Sequence, residues 1–326
     1  MSLLLAILAI ILLLWCALLY IRFPAPLGFL VIFPKLAAGA WAPFLAIAAA
    51  LLSLVAGILR APVPAVAGGL AALGFAFAFH RLTAAFDGAT VAFGAEWEQL
   101  LPAEKRAGML PHRWVGRLPG SPEPRWRRNL PFWTIPGTDR ALLCDLWQPP
   151  AGVQPSGLAY LYFHGSAWYI FDKDMGTRQL FRHLAAQGHV VMDVAYRLFP
   201  ETDVAGMAGD VKRAIAWVKE HAAELGVDPA RIVIGGSSAG GHLAQLVGYA
   251  PNHPDLTPAD VAGADLSVAG VVSCYGPSDL RVCYQHTNQH KTTKPTDRMP
   301  DFAPPAKPSP LLERLFGPGT QRLGLH

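Results

Sequence analysis

The first eighty residues are apolar almost without interruption, and from about Asn129 short apolar runs alternate with amphipathic ones. Residues 3–21 and 41–59 are each charge-free and long enough, at roughly 1.5 Å per helical residue, to cross a hydrocarbon core of about 30 Å. Residues 63–79 form a shorter run rich in glycine and alanine, where Gly68, Gly69 and Ala72 would let helices pack closely in lipid. Three crossings, or two if the third run is re-entrant, are expected within a membrane region over 1–82. The first run lacks the basic start, short apolar core and small-residue cleavage site of a secretory signal, so it reads as an uncleaved helix. Residues 83–128 read as a basic linker, with Lys105, Arg106, Arg113, Arg117, Arg125, Arg127 and Arg128 among prolines and tryptophans. Arg22 and Lys35 flank the first connection and Arg81 follows the third run. Counting only Lys and Arg predicts a multi-pass membrane protein whose C-terminal part is cytoplasmic.

Residues 129–326 carry the alternation. "RALLCDLWQP", "LAYLYFHG", "HVVMDVAY", "RIVIGG" and "VAGVVSCYG" read as strands. Between them, "DKDMGTRQLFRHLAAQG", "DVAGMAGDVKRAIAWVKEHAAELG" and "AGGHLAQLVGYA" have helical spacing, with Val211, Ile215 and Val218 on one face of the second. Several of the strands are continuous apolar runs rather than alternating ones. That pattern predicts the α/β class, with a mostly parallel sheet covered by helices on both faces.

Composition narrows the chemistry. Over 326 residues the chain is 52% hydrophobic and 15% charged with a net charge of +4, too modest to point to nucleic acid. Four cysteines, at 16, 144, 274 and 283, show no C-x-x-C spacing, which argues against a zinc site or a disulfide framework. No metal or organic cofactor is implied.

The most informative stretch is "RIVIGGSSAGGHLAQLVG". Gly236-Ser237-Ser238-Ala239-Gly240 fits G-x-S-x-G with Ser238 at its centre, a strand leading in and a helix leading out, the context of a sharp turn that exposes a nucleophilic hydroxyl. Centring the pattern on Ser237 would put Ala239 where the second glycine belongs. A Walker loop would need Lys followed by Ser or Thr, which is missing, and a dinucleotide fingerprint would stand earlier in the fold. An earlier strand ends in His164-Gly165-Ser166-Ala167-Trp168. There the backbone N–H groups of Gly165 and Ser166, with that of Ala239, are candidate donors to an oxyanion.

"HGSAW", "DVAYRLFPE" and "GGSSAGGHLA", in this order and spacing, resemble the α/β-hydrolase superfamily, in its hormone-sensitive-lipase or feruloyl-esterase-like carboxylesterase branch. The resemblance covers roughly residues 130–280. It implies a serine carboxylesterase acting through an acyl-enzyme on Ser238, with His164 and Trp168 supporting the oxyanion loop and a small hydrophobic ester as substrate. It also implies that Asp193, Tyr196 and Arg197 are structural. Ser166 and Ala167 stand where the family has glycines, which keeps the backbone donors and reduces the loop's freedom.

A serine hydroxyl needs a histidine to take its proton and a carboxylate to orient that histidine. The family places both after strands that follow "VAGVVSCYG", and no apolar strand of the usual kind appears after Tyr275. The sheet is therefore expected to lack its last two strands, and the triad acid and histidine with them. Asp279, His286, His290 and His326 are weak substitutes, and His242 reads as a packing residue one turn past Ser238. Two origins stay open: a truncated or frameshifted esterase, or a membrane-bound binding or scaffolding module whose bare sheet edge a protein partner covers. Peptide or amide hydrolysis on the same fold is a further alternative.

Overall fold

The computed structural model describes residues 2–23, 25–84, 88–107 and 120–280. The chain divides into two compact units, Met1–Pro119 and Gly120–His326, each taken by itself below.

The first unit is helical. α1 (Ser2–Tyr20), α3 (Ala42–Ile58) and α4 (Pro62–Thr83) correspond to the three apolar runs, and α5 (Gly88–Phe93) and α6 (Ala103–Ala107) are short. Arg22 and Lys35 mark a connection between the first two apolar runs, whereas Ala25–Ala40 is a helix, α2. Pro34 and Lys35 interrupt the apolar pattern there, yet the helix continues through Pro34, and the Lys35 ammonium donates to the Ile21 carbonyl at 2.7 Å. Among the described residues, two helices are long and apolar enough to cross a membrane, one over Leu3–Tyr20 and one starting at Pro62, or three if Leu30–Ala40 and Ala42–Ile58, bent by 76°, count as one span.

Small residues set the packing. A Cβ at Gly68 would lie 3.1 Å from both the Ala49 carbonyl oxygen and the Ser53 amide nitrogen, so the α4 backbone rests directly on α3. The Ser53 hydroxyl ties the two helices by donating to the Ala65 carbonyl at 2.6 Å. Gly68→Leu must push rigid backbone aside and is expected to destabilise this unit by ~1–3 kcal/mol, measurable by reversible unfolding in mixed micelles.

Among the described residues, the second unit has a six-stranded sheet in the order β1-β2-β4-β3-β5-β6. Its strands are β1 (Arg125–Thr134), β2 (Ala141–Gln148), β3 (Gly157–Phe163), β4 (Val190–Ala195), β5 (Val227–Ser237) and β6 (Gly270–Cys274). β1 pairs antiparallel with β2, and β2 with β4, while the β4–β3, β3–β5 and β5–β6 pairings are parallel. β1 takes in Arg125, Arg127 and Arg128, which the sequence reading assigned to the linker. Its arginines and Asn129 hide the strand because β1 is exposed along most of its length.

The helices are α7 (Arg178–Ala186), α8 (Val204–Glu220), α9 (Ala222–Leu225) and α10 (Ala239–Tyr249). The Asp203 carboxylate starts α8 by accepting the Gly206 N–H at 2.9 Å, an N-cap of the usual kind. The long helix expected up to Gly226 breaks at His221, and α9 ends on Gly226 with φ 68. α7 begins at Arg178 rather than near Asp172, because the preceding residues turn through left-handed backbone at Phe171, Asp174 and Gly176.

The sheet buries both faces. On one, Leu146, Leu161, Phe163, Met192 and Ile234 pack with Val211, Ile215, Val218 and Leu243 of α8 and α10. On the other, Trp147, Tyr160, Tyr162 and Val191 pack with Phe181 of α7. Alternation along β3 sends Tyr160 and Tyr162 to this second face and Leu161 and Phe163 to the first.

Candidate active site

Two loops meet at the ends of the adjacent parallel strands β3 and β5, where Phe163 is in register with Gly236. The chain leaves β5 at Ser237 and enters α10 at Ala239, with Ser238 at φ 49, ψ −118 in between. Positive φ in a residue with a side chain marks local strain of the kind found at functional turns. Ser238 is half-buried, and its hydroxyl has no hydrogen-bond partner among the described residues. Ser237, by contrast, is buried on the second face and accepts the Tyr162 hydroxyl at 2.9 Å. The two serines thus have different surroundings, one pinned behind the turn and one presented on it.

The flanking glycines are steric necessities. A Cβ at Gly240 would collide with the Phe163 carbonyl and lie 2.6 Å from the His164 oxygen. A Cβ at Gly165 would sit 3.0 Å from the Ser237 hydroxyl oxygen and 3.4 Å from the Ser238 Cβ. The HGSAW loop therefore lies directly against the turn. Among the described residues, the N–H groups of Gly165, Ser166 and Ala239 have no backbone partner. The Ser238 N–H is spent on the Cys274 carbonyl at 2.9 Å, which fastens the turn to β6.

Both nearby histidines are engaged elsewhere. His164 is buried, stacks on Tyr196 with ring centroids 4.6 Å apart, and has its pKa lowered by burial. His242, also buried and with its pKa pushed down to about 4 by burial, faces the Trp168 indole N–H at a long 3.4 Å. Neither imidazole is hydrogen-bonded to Ser238 among the described residues. Asp279 follows shortly after β6, and His286, His290, His326 and Cys283 lie outside the described residues. Among the described residues, no group of three or more His, Cys, Asp or Glu could hold a metal ion.

The buried Asp145 and Asp193 face each other in register on β2 and β4 without having been marked together in the sequence. Lys173 bridges to Asp145 at 3.0 Å, and the Asp174 N–H donates to Asp193 at 2.7 Å, so the segment after the HGSAW loop is tied down by this pair. The signal was available: each aspartate interrupts an apolar strand. Burial, reinforced by the Asp145 charge, pushes Asp193 up to about 7. A folded-state pKa above the unfolded value of about 3.9 means that the folded chain holds the proton more tightly. Stability contributed by this group is complete below about pH 4 and is lost as pH rises towards 7, by up to ~1.4 kcal/mol per pH unit. Asp193→Asn is expected to flatten that slope in urea unfolding followed between pH 4 and 8.

Residues 144–308, just over half of the chain, match the BD-FAE family model. The chain belongs to the BD-FAE family. This BD-FAE chain is 38% identical over 143 residues to the probable carboxylic ester hydrolase LipM of Mycobacterium tuberculosis, covering 43% of this chain and 33% of that protein. It is 33% identical over 201 residues to the esterase LipQ of the same organism, covering 58% of this chain and 46% of that protein. The alignments thus span between a third and a half of these curated relatives. Among solved structures, Thermogutta terrifontis esterase 2 phosphoramylated by tabun matches with 27% identity and a TM-score of 0.38, over 47% of the BD-FAE chain and 57% of that chain.

Proposed function

We propose that this chain is a membrane-anchored serine hydrolase of the carboxylesterase type, acting through an acyl-enzyme on Ser238. The observation that carries the reading is the left-handed strand-to-helix turn at Ser238 pressed against Gly165, beside N–H groups that have no backbone partner among the described residues. The Ser238 hydroxyl oxygen adds to an ester carbonyl, and the carbonyl oxygen takes up the negative charge. Gly165, Ser166 and Ala239 would meet that charge through their N–H groups, aided by the N-terminus of the eleven-residue α10. The tetrahedral adduct collapses with loss of the alcohol, leaving an acyl-serine that water hydrolyses to the acid. A base must take the serine proton and return it to the departing alcohol. His164 and His242 are occupied with the loop, so that role falls to a group other than these two.

The ester names of the curated relatives support an ester substrate, and the apolar helices α1 and α4 support a membrane anchor that keeps the catalytic unit near hydrophobic esters. With three crossings, Arg22 and Arg81 fall on the same side of the membrane, which supports a cytoplasmic catalytic unit. The test is fluorophosphonate labelling of membranes holding the full chain. Wild type is expected to be labelled and Ser238→Ala to stay unlabelled; a folded wild type that takes no label would refute the proposal.

A further inference from the structure

The HGSAW loop carries strain, and backbone bonds hold part of it: the Tyr169 and Ile170 N–H groups donate to the Ser166 carbonyl and the Phe199 N–H donates to the Trp168 carbonyl. Ala167 and Trp168 have φ values of 46 and 68, and left-handed backbone costs a residue with a side chain ~1–2 kcal/mol. A set of side-chain hydrogen bonds holds the same residues as well. The Trp168 N–H donates to the Ser166 hydroxyl oxygen at 2.9 Å. The Ser166 and Tyr196 hydroxyls lie 2.7 Å apart, and the Tyr196 hydroxyl donates to the His164 carbonyl at 2.8 Å. Tyrosine has one hydroxyl proton, already given to His164, so Ser166 must be the donor in the pair.

The direction of every bond is then fixed: Trp168 N–H to Ser166, Ser166 to Tyr196, Tyr196 to the His164 carbonyl. The path joins the end of the loop back to its start and brackets Gly165. Ser166 and Tyr196 are buried, so each bond lacks a competing water, and losing one member leaves others unsatisfied. Burial also raises the Tyr196 pKa, which keeps the phenol protonated as a donor. Because the single Ser166 proton is committed to Tyr196, the side chain of Ser166 cannot serve an oxyanion. Its N–H remains for that role.

We propose that Ser166 and Tyr196 are positioning residues, a hydroxyl relay that clamps residues 164–168, with Ala167 and Trp168 left-handed, so that the Gly165 and Ser166 N–H groups are presented towards Ser238. The proposal rests on the esterase reading above and extends it to residues that touch no substrate.

The experiment measures kcat and KM for a short-chain p-nitrophenyl ester, together with the fluorophosphonate labelling rate, on the detergent-solubilised full chain. Tyr196→Phe and Ser166→Ala are each expected to lower kcat and the labelling rate by ~10- to 100-fold, below the effect of deleting a direct oxyanion donor, with little change in KM. The double variant should lose little more than either single one, because one break already opens the relay. Adding Ala167→Gly, which removes a left-handed penalty, should restore part of the rate to Tyr196→Phe. Loss of thermal stability alone would not produce this kcat-specific, non-additive and rescuable pattern. A folded Tyr196→Phe or Ser166→Ala with wild-type kcat, or strictly additive losses, overturns the proposal. If Tyr196→Phe does not fold, Ser166→Ala decides. Wild type labelled at Ser238 with variants labelled at the same rate defeats only the clamp, whereas an unlabelled wild type defeats the esterase reading and the clamp with it.

Discussion

Ester hydrolysis by Ser238→Ala is expected to fall by ~10⁴-fold or more in kcat/KM, because no acyl-enzyme can form without the hydroxyl. What survives would come from the N–H groups of Gly165, Ser166 and Ala239 acting on a carbonyl attacked directly by water. The substitution is structurally mild. Alanine pays the same left-handed cost as serine at φ 49, and the bond to the Cys274 carbonyl comes from the backbone. The lost hydroxyl had no partner among the described residues, so stability should stay within ~0.5 kcal/mol of wild type. A large loss of turnover at unchanged stability is the expected signature, read from steady-state kinetics beside a thermal melt. Retained turnover would remove Ser238 from the chemistry.

The largest expected effect on stability lies in α8, which packs on the same face of the sheet as α10. Asp210 is fully buried in α8 and accepts from the Arg197 N–H at 3.0 Å and from its guanidinium at 2.8 and 2.7 Å. The Arg213 guanidinium donates to Asp210 at 2.9 Å and also reaches Asp260 at 2.8 and 2.9 Å, and Asp260 accepts the Trp133 indole N–H. One carboxylate therefore joins the end of β4 to α8, and through Arg213 to the turn near Asp260 and to β1. Asp210→Ala leaves the Arg197 charge without that partner in a largely enclosed site and is expected to cost ~3–5 kcal/mol in denaturant unfolding. Replacing Arg197 and Asp210 together by apolar residues of similar volume should recover part of the loss, since it removes the stranded charge. A single variant as stable as wild type would show that water reaches the pair freely.

How far these features were legible in the sequence depended on the range of the interaction. The strands "LAYLYF" and "RIVIGG" and the face of Val211, Ile215 and Val218 are local patterns, and the structure buries all three of those residues. The turn at Ser238 was legible because a glycine rule and a strand-helix context coincide within ten residues. α2 was hidden because Pro34 and Lys35 mimic a break, and β1 because an exposed strand rich in arginine looks like a linker. The pairs Arg197–Asp210 and Ser166–Tyr196 carried no local signal, and Asp145 and Asp193 were each marked only as a charge interrupting an apolar strand, not as partners. Asp145–Asp193 and Ser166–Tyr196 join positions separated by other elements, and Arg197 meets Asp210 only once α8 docks beside the end of β4. The same holds for Tyr162 behind Ser237; in the sequence Tyr162 is one residue of a continuous apolar strand.

The bond from the Ser238 N–H to the Cys274 carbonyl has a consequence for isotope exchange. Three amides around the turn and the facing loop are unbonded by backbone among the described residues, and the one belonging to the serine itself is closed by β6. In deuterated solvent the Ser238 amide should therefore exchange far more slowly than those of Gly165, Ser166 and Ala239, and its protection should vanish whenever β6 detaches from β5. That single proton is a gauge of whether β6 is seated.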